Sequence, residues 1–210
     1  MMFIIITNIM LLNICSQSLK PKKMKKLTLL LMFALGLTAT SFAQTKKYHG
    51  VSFYTDLKLG DENLVLNGAG LREKYWMDLY VAALYVPKKT NEAGKVIYND
   101  TEMAIHIKII SSSVTRERFI ESVNEGFASA THGKATKEEI KKFVAFFSEP
   151  IKEGDKINLD YLPGKGVRVT KNGTVKGTIP GIEFKKALFS IWLGTPPVQE
   201  SLKAEMLGKE

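Results

Sequence analysis

From residue 51 onward the apolar positions repeat with two periods, and the changes between them divide the chain into elements. Val51 to Leu59 alternates loosely and Gly60-Asp61-Glu62-Asn63 reads as a turn, so a hairpin is predicted whose second strand begins over Asn63 to Leu66. Asn67-Gly68-Ala69-Gly70-Leu71-Arg72 reads as a glycine-punctuated turn ending in an arginine. Tyr75 to Val86 is a long apolar run that includes Trp76, Tyr80 and Tyr85. It predicts a strand buried on at least one face and ended by Pro87. Lys88 to Asp100 reads as a polar loop. From Glu102 to Ile110 the alternation is regular: Met103, Ile105, Ile107 and Ile109 share one face, and Ala104, His106 and Lys108 share the other.

The period then lengthens. Phe119, Ile120, Val123 and Phe127 follow helical spacing from Thr115, after a serine cluster (Ser111 to Ser113) suited to capping. Thr136 with Glu139 forms a capping box ahead of Ile140, Phe143, Val144 and Phe147, and Pro150 closes that helix. Three strands follow, over Ile157–Tyr161, Val167–Val169 and Val175–Ile179. Asn172-Gly173 predicts a type I′ turn between the last two. Phe184, Ala187, Leu188 and Ile191 line a helix with Gly194 at C′. Thr195 is the expected cap of a last helix, with Pro196 in its first turn and Val198, Leu202 and Met206 inside. Segregated runs of strands and helices indicate an α+β fold, an antiparallel sheet covered by helices in one domain.

Composition changes the picture mainly at the N-terminus of this 210-residue chain. Lys25 and Lys26, the apolar run Leu27 to Leu37 and the small residues of Ser41-Phe42-Ala43 give residues 24–43 the pattern of a secretory signal peptide. The expected protein is exported, periplasmic or secreted, with its domain over residues 44–210. Residues 1–23 read as an over-called start ahead of Met24, the alternative being a second hydrophobic anchor. Residues 1–43 hold five lysines and no acid, so the remainder carries 25 basic against 21 acidic residues, net +4 rather than +9. Those charges are interspersed, and nucleic acid is not an expected partner. The single cysteine, Cys15, lies before the signal peptide, which leaves the exported domain without disulfides, thiol nucleophile or cysteine metal site.

Candidate chemistry is sparse. There is no Gly-x-Ser-x-Gly, phosphate loop or pair of catalytic carboxylates. His106 lies on a polar strand face, with His49 and His132 remote, so neither metal nor cofactor is expected. Arg72 stands out: an arginine before an apolar strand either snorkels to water or holds an anion. Its ordinary reading is a surface residue paired with Asp78 or Glu73. Tyr80, eight positions on, would share its face if the strand were regular between them, and is otherwise a core aromatic with its hydroxyl at a rim. Trp76, Phe119 and Trp192 read as core residues. Lys108 reads as a solvated residue, or as a second cation near Arg72.

Three stretches together resemble the chalcone isomerase family, more closely its bacterial chalcone-isomerase-like branch: Leu66-Asn67-Gly68-Ala69-Gly70-Leu71-Arg72, Tyr80-Val81-Ala82-Ala83-Leu84-Tyr85-Val86, and Phe184 through Trp192-Leu193-Gly194-Thr195-Pro196-Pro197 to Val198. The likeness extends over Val51 to Leu207. It implies an open-faced β-sandwich: a large antiparallel sheet, a helical layer and a ligand cleft between them. In the plant enzymes of that family an arginine, a threonine, a tyrosine and an asparagine contact the substrate. The resemblance carries the arginine to Arg72, the threonine to or beside Tyr80, the tyrosine to Phe119 and the asparagine to Gly126. Three of the four polar contacts are therefore changed. Non-catalytic members of the fold, the plant fatty-acid-binding proteins, hold a carboxylate with the equivalent arginine and a nearby tyrosine. The resemblance thus implies a binder of a small acidic or hydrophobic ligand such as a fatty acid, contacted by Arg72, Tyr80 and Phe119. A lipid-like ligand would bring the protein near a membrane. The alternative is an isomerase, an intramolecular lyase with Arg72 as its electrophile. A closed cleft would favour a structural role.

Overall fold

The structure is a computed structural model describing residues 44–209; the export reading of residues 1–43 and Cys15 lie outside the described residues. Seven strands form one antiparallel sheet in sequence order: β3 (Asp56–Leu59), β4 (Glu62–Lys74), β5 (Met77–Val86), β6 (Met103–Ile109), β7 (Lys156–Leu162), β8 (Gly166–Lys171) and β9 (Thr174–Ile179). A separate hairpin, β1 (Thr45–Tyr48) with β2 (Val51–Tyr54), precedes it. The helices are α1 (Ala93–Tyr98), α2 (Arg116–Ser129), α3 (Lys137–Ala145), α4 (Ile182–Leu193) and α5 (Glu200–Met206).

The pleat sorts the strand residues onto two faces. Ala82, Leu84, Ile105, Ile107 and Leu159 face the helices and meet Phe143, Phe184 and Leu188. Val81, Ala83, Tyr85 and Ala104 face the other way, in a smaller cluster with Phe53 of β2. The result is the α+β open-faced sandwich expected from the sequence. The β6 alternation holds, since Met103, Ile105, Ile107 and Ile109 are all buried on the helix side. So do the Thr136–Glu139 capping box and the Asn172-Gly173 turn, where both residues have positive φ.

Several elements differ from expectation. Val51 to Leu59 is not one strand: it breaks at Thr55, and its halves β2 and β3 belong to different sheets. The Asn67–Arg72 stretch is not a turn but the middle of the 13-residue strand β4. Its glycines serve close packing. A Cβ on Gly68 would lie 2.1 Å from the backbone oxygen of Glu205, and one on Gly70 would lie 2.9 Å from that of Leu202. Helix α5 therefore lies directly on the β4 backbone. The turn comes later, at Tyr75 and Trp76, which adopt φ of 54° and 61°. Trp76, read as core, is exposed at this hairpin tip.

The polar stretch from Lys88 to Asp100 contains α1, held from below by Lys185. This lysine is buried in α4 and donates to the carbonyls of Val96, Ile97 and Asn99 at 2.6, 3.0 and 2.9 Å. These are the C-terminal oxygens that a short helix leaves unpaired. The last helix begins at Glu200 rather than at Thr195, and Gly194 has φ −74°, not the left-handed conformation of a C′ glycine. Residues 195–199 run as an irregular connection that carries Gln199 to the end of β4. No helix among the described residues is long and apolar enough to cross a membrane.

Candidate functional site

The β4–β5 hairpin brings Arg72 and Tyr80 together. They are direct partners in the antiparallel register, in line with Gly70 opposite Ala82 and Gly68 opposite Leu84. Partners across an antiparallel pair share a sheet face, here the helix-facing one. The regular strand that would have joined them along the chain does not exist, because the Tyr75-Trp76 turn lies between. Their juxtaposition comes from folding back.

Arg72 is half-buried. Its Nη1 donates to the carbonyl of Glu73 at 2.6 Å and to Gln199 Oε1 at 3.0 Å. Gln199 Oε1 also accepts from the Glu73 N–H at 2.9 Å, and its Nε2 donates to the Leu71 carbonyl at 3.2 Å. Gln199 thus fixes both the arginine and the strand end that bears it. Among the described residues no carboxylate pairs with Arg72, so the Asp78 or Glu73 ion pair is not formed, and the guanidinium also donates towards the phenol oxygen of Tyr80. The phenol oxygen of Tyr80 accepts from Trp192 Nε1 at 3.0 Å, and its own hydrogen has no acceptor among the described residues. Burial pushes the Tyr80 phenol above its ordinary pKa, with the Trp192 bond and the charge and hydrogen bond of Arg72 acting against that rise.

Two spaces meet at this pair. An inner apolar cavity of about 60 Å³ is walled by Tyr80, Phe119, Val123, Leu159 and Trp192. An outer cleft of about 240 Å³ is walled by Glu125, Gly126, Ser129 and Pro197. Arg72, Ser122, Ile191 and Val198 line both. Arg72 therefore sits where a polar opening narrows into an apolar interior.

Phe119 is half-buried on α2, its ring 4.8 Å from that of Phe147, so the structure brings Arg72, Tyr80 and Phe119 to one cavity. Gly126 borders only the outer cleft. A Cβ there would lie 2.9 Å from the Ile191 side chain, so α4 occupies the space that a longer residue would need. Lys108 pairs across the strands with Val81, on the opposite sheet face from Arg72, and donates to the Gly154 carbonyl. His106 joins Asp160 and Arg168 in an ion cluster.

Two residues of the site go beyond the sequence reading, in which Trp192 is a core residue and Gln199 has no role. Trp192 lies one helical turn beyond Leu188, so its inward direction was legible. That a buried indole needs an acceptor was the available clue. Gln199 gave no signal, because its role depends on an irregular connection.

A family model described as chalcone isomerase-like matches residues 45–208. No protein of curated function matches the sequence. Among solved structures, a fatty-acid binding protein of Arabidopsis thaliana is similar, with 21% sequence identity and a TM-score of 0.61 over 78% of this chain and 96% of that one. At that identity the likeness concerns the fold.

Proposed function

The chain belongs to the chalcone isomerase-like family, and we propose that it is a non-catalytic binder of a small acid with an apolar tail, such as a fatty acid. The observation that carries this reading is the placement of Arg72 and Tyr80 as strand partners at the mouth of an apolar cavity. A carboxylate would accept from the guanidinium, whose planar fork suits it, and the Tyr80 hydroxyl would supply a further donor. The tail would enter among Phe119, Val123 and Leu159. The cavity's 60 Å³ is far below the roughly 300–1,000 Å³ of ordinary ligand pockets. A fatty acyl chain therefore has to displace part of the α2 wall, and half-buried Phe119 and Val123 are its most exposed apolar members. The similar fold of a fatty-acid binding protein supports the class of ligand. With residues 24–43 read as a signal peptide, binding would take place outside the cytoplasm.

Catalysis of the isomerase type would require donors aimed at a developing oxyanion. Phe119 offers none, Gly126 has no side chain, and Ile191 fills the space beside it. Native mass spectrometry and lipid extraction of the purified protein should yield an acid, and Arg72→Ala should abolish fatty-acid binding in a fluorescence displacement assay. Absence of any acid together with unchanged binding by Arg72→Ala would refute the proposal. A chalcone cyclisation assay should show no turnover above the uncatalysed rate.

A further inference from the structure

The β4–β5 hairpin ends in a turn that its sequence disfavours. Tyr75 and Trp76 both adopt positive φ, 54° and 61°, a conformation suited to glycine, asparagine and aspartate and poor for bulky residues. The same chain makes the β8–β9 turn with Asn172 and Gly173, at 51° and 82°. The strained pair is also turned outward. Tyr75 is 72% exposed and Trp76 99% exposed, with Met77 beside them at 37%. Neither ring supports the core, so burial does not offset the unfavourable turn.

We propose that Tyr75 and Trp76 dock this tip into the interfacial layer of a lipid bilayer. Indole and phenol rings combine an apolar body with a polar edge and favour the level of the lipid headgroups. A protein partner fits less well, because a stable interface buries about 800 Å² per side and two rings at a narrow tip present about half of that. Lys74 precedes the tip with its ammonium 5.5 Å from the Tyr75 ring centroid, while Glu73 and Asp78 face each other one step behind it and are both exposed, so the docking rests on the two rings rather than on attraction to anionic lipid. The tip also adjoins the cleft: Lys74 pairs with Glu125 at 3.8 Å, and Glu125 lines the outer opening beside Arg72. Docked in this way, the opening would lie close to the headgroups, where an amphipathic acid resides. The docking itself does not depend on the acid-binding reading.

The two tryptophans make the test direct, because Trp192 is buried and serves as an internal reference. The full chain is mixed with vesicles of phosphatidylcholine and phosphatidylglycerol, with and without brominated acyl chains. Emission from Trp76 should shift to the blue and be quenched roughly twofold by the brominated lipid, and Trp76→Phe should remove that response. Attachment through residues 1–43 alone would leave Trp76 in water, so an unshifted, unquenched Trp76 overturns the proposal. A blue shift that rises with protein concentration in the absence of vesicles would make the tip a protein contact and would equally overturn it. The double variant Tyr75→Asn/Trp76→Gly copies the other turn, so it should unfold at the same temperature as the parent or higher; a lower temperature would show that the two rings support the fold and would overturn the premise. Arg72→Ala should keep the vesicle response, which separates failure of docking from failure of acid binding.

Discussion

The indole N–H of Trp192 donates to the phenol oxygen of Tyr80 at 3.0 Å. That bond occupies a lone pair and leaves the hydroxyl hydrogen to be aimed elsewhere. Tyr80→Phe should weaken binding of a fatty acid about tenfold, the ordinary worth of a hydrogen bond to a charged acceptor. Trp192→Phe should weaken it about fivefold, because the phenol remains but is no longer oriented. If Trp192 acts through Tyr80, the double variant should bind no worse than Tyr80→Phe alone. Isothermal titration with one medium-chain acid decides this, and additive losses would show that Trp192 contributes by some other route.

The narrow inner cavity predicts an opposite response at its outer wall. Phe119→Ala should enlarge the space behind Arg72 and improve binding of long-chain acids relative to short ones. It should also lower stability by roughly 1–3 kcal/mol, less than for a fully buried phenylalanine, since Phe119 is only partly covered. Affinity across a chain-length series, with thermal melts of both proteins, tests the claim. A uniform loss across the series would mean that tails do not pass Phe119.

Much of the sheet and two helix starts, at Thr115 and Thr136, were legible because one local signal sufficed. The alternation in β6, the Thr136–Glu139 box and Asn172-Gly173 each specify their element within a few residues. The errors share a cause, since each involved a residue whose partner is distant in sequence. Gly68 and Gly70 looked like turn glycines because a glycine needed for close approach to α5 carries the same letter as one needed for positive φ. Tyr75 and Trp76 continued an apolar run, and only the strand pairing shows that the chain reverses there. Helix α1 and Lys185 were missed together: α1 looked like a polar loop and Lys185 carried no reading of its own, yet each accounts for the other. At the site, Arg72 was legible from its setting and Tyr80 from the resemblance. That they share a face was expected from strand periodicity, whereas it arises from the hairpin.

The close approach of α5 gives a stability prediction at a position that a turn would tolerate. Gly68→Ala places a methyl group 2.1 Å from the Glu205 carbonyl oxygen and 3.0 Å from that of Met206. Both are backbone atoms, so no side chain can rotate away, and the cost should be at least about 1–3 kcal/mol, the range of overpacking. Gly164→Ala, at positive φ but with open space around it, should cost only about 1 kcal/mol. Urea midpoints of the two variants rank them, and equal losses would mean that helix α5 shifts freely on the sheet.

The ion cluster on β6, β7 and β8 ties stability to acid. Asp160 is buried and accepts from His106 Nε2 at 3.0 Å and Arg168 Nη2 at 2.9 Å. Burial acts to raise its pKa, but the His106 and Arg168 bonds and charges outweigh it and hold the carboxyl below the ordinary aspartate value. The unfolded chain therefore binds this proton more readily than the folded one. The stabilisation is complete above the unfolded value of about 3.9 and is lost as pH falls below it through the folded value. Asp160→Asn should cost about 2 kcal/mol near neutrality, a figure kept small by the solvent exposure of Arg168. The gap between the two proteins should close as pH falls below about 4. Denaturant midpoints measured across that range give the comparison, and a gap that persists unchanged into strong acid would show that the ionised carboxylate is not what stabilises the cluster.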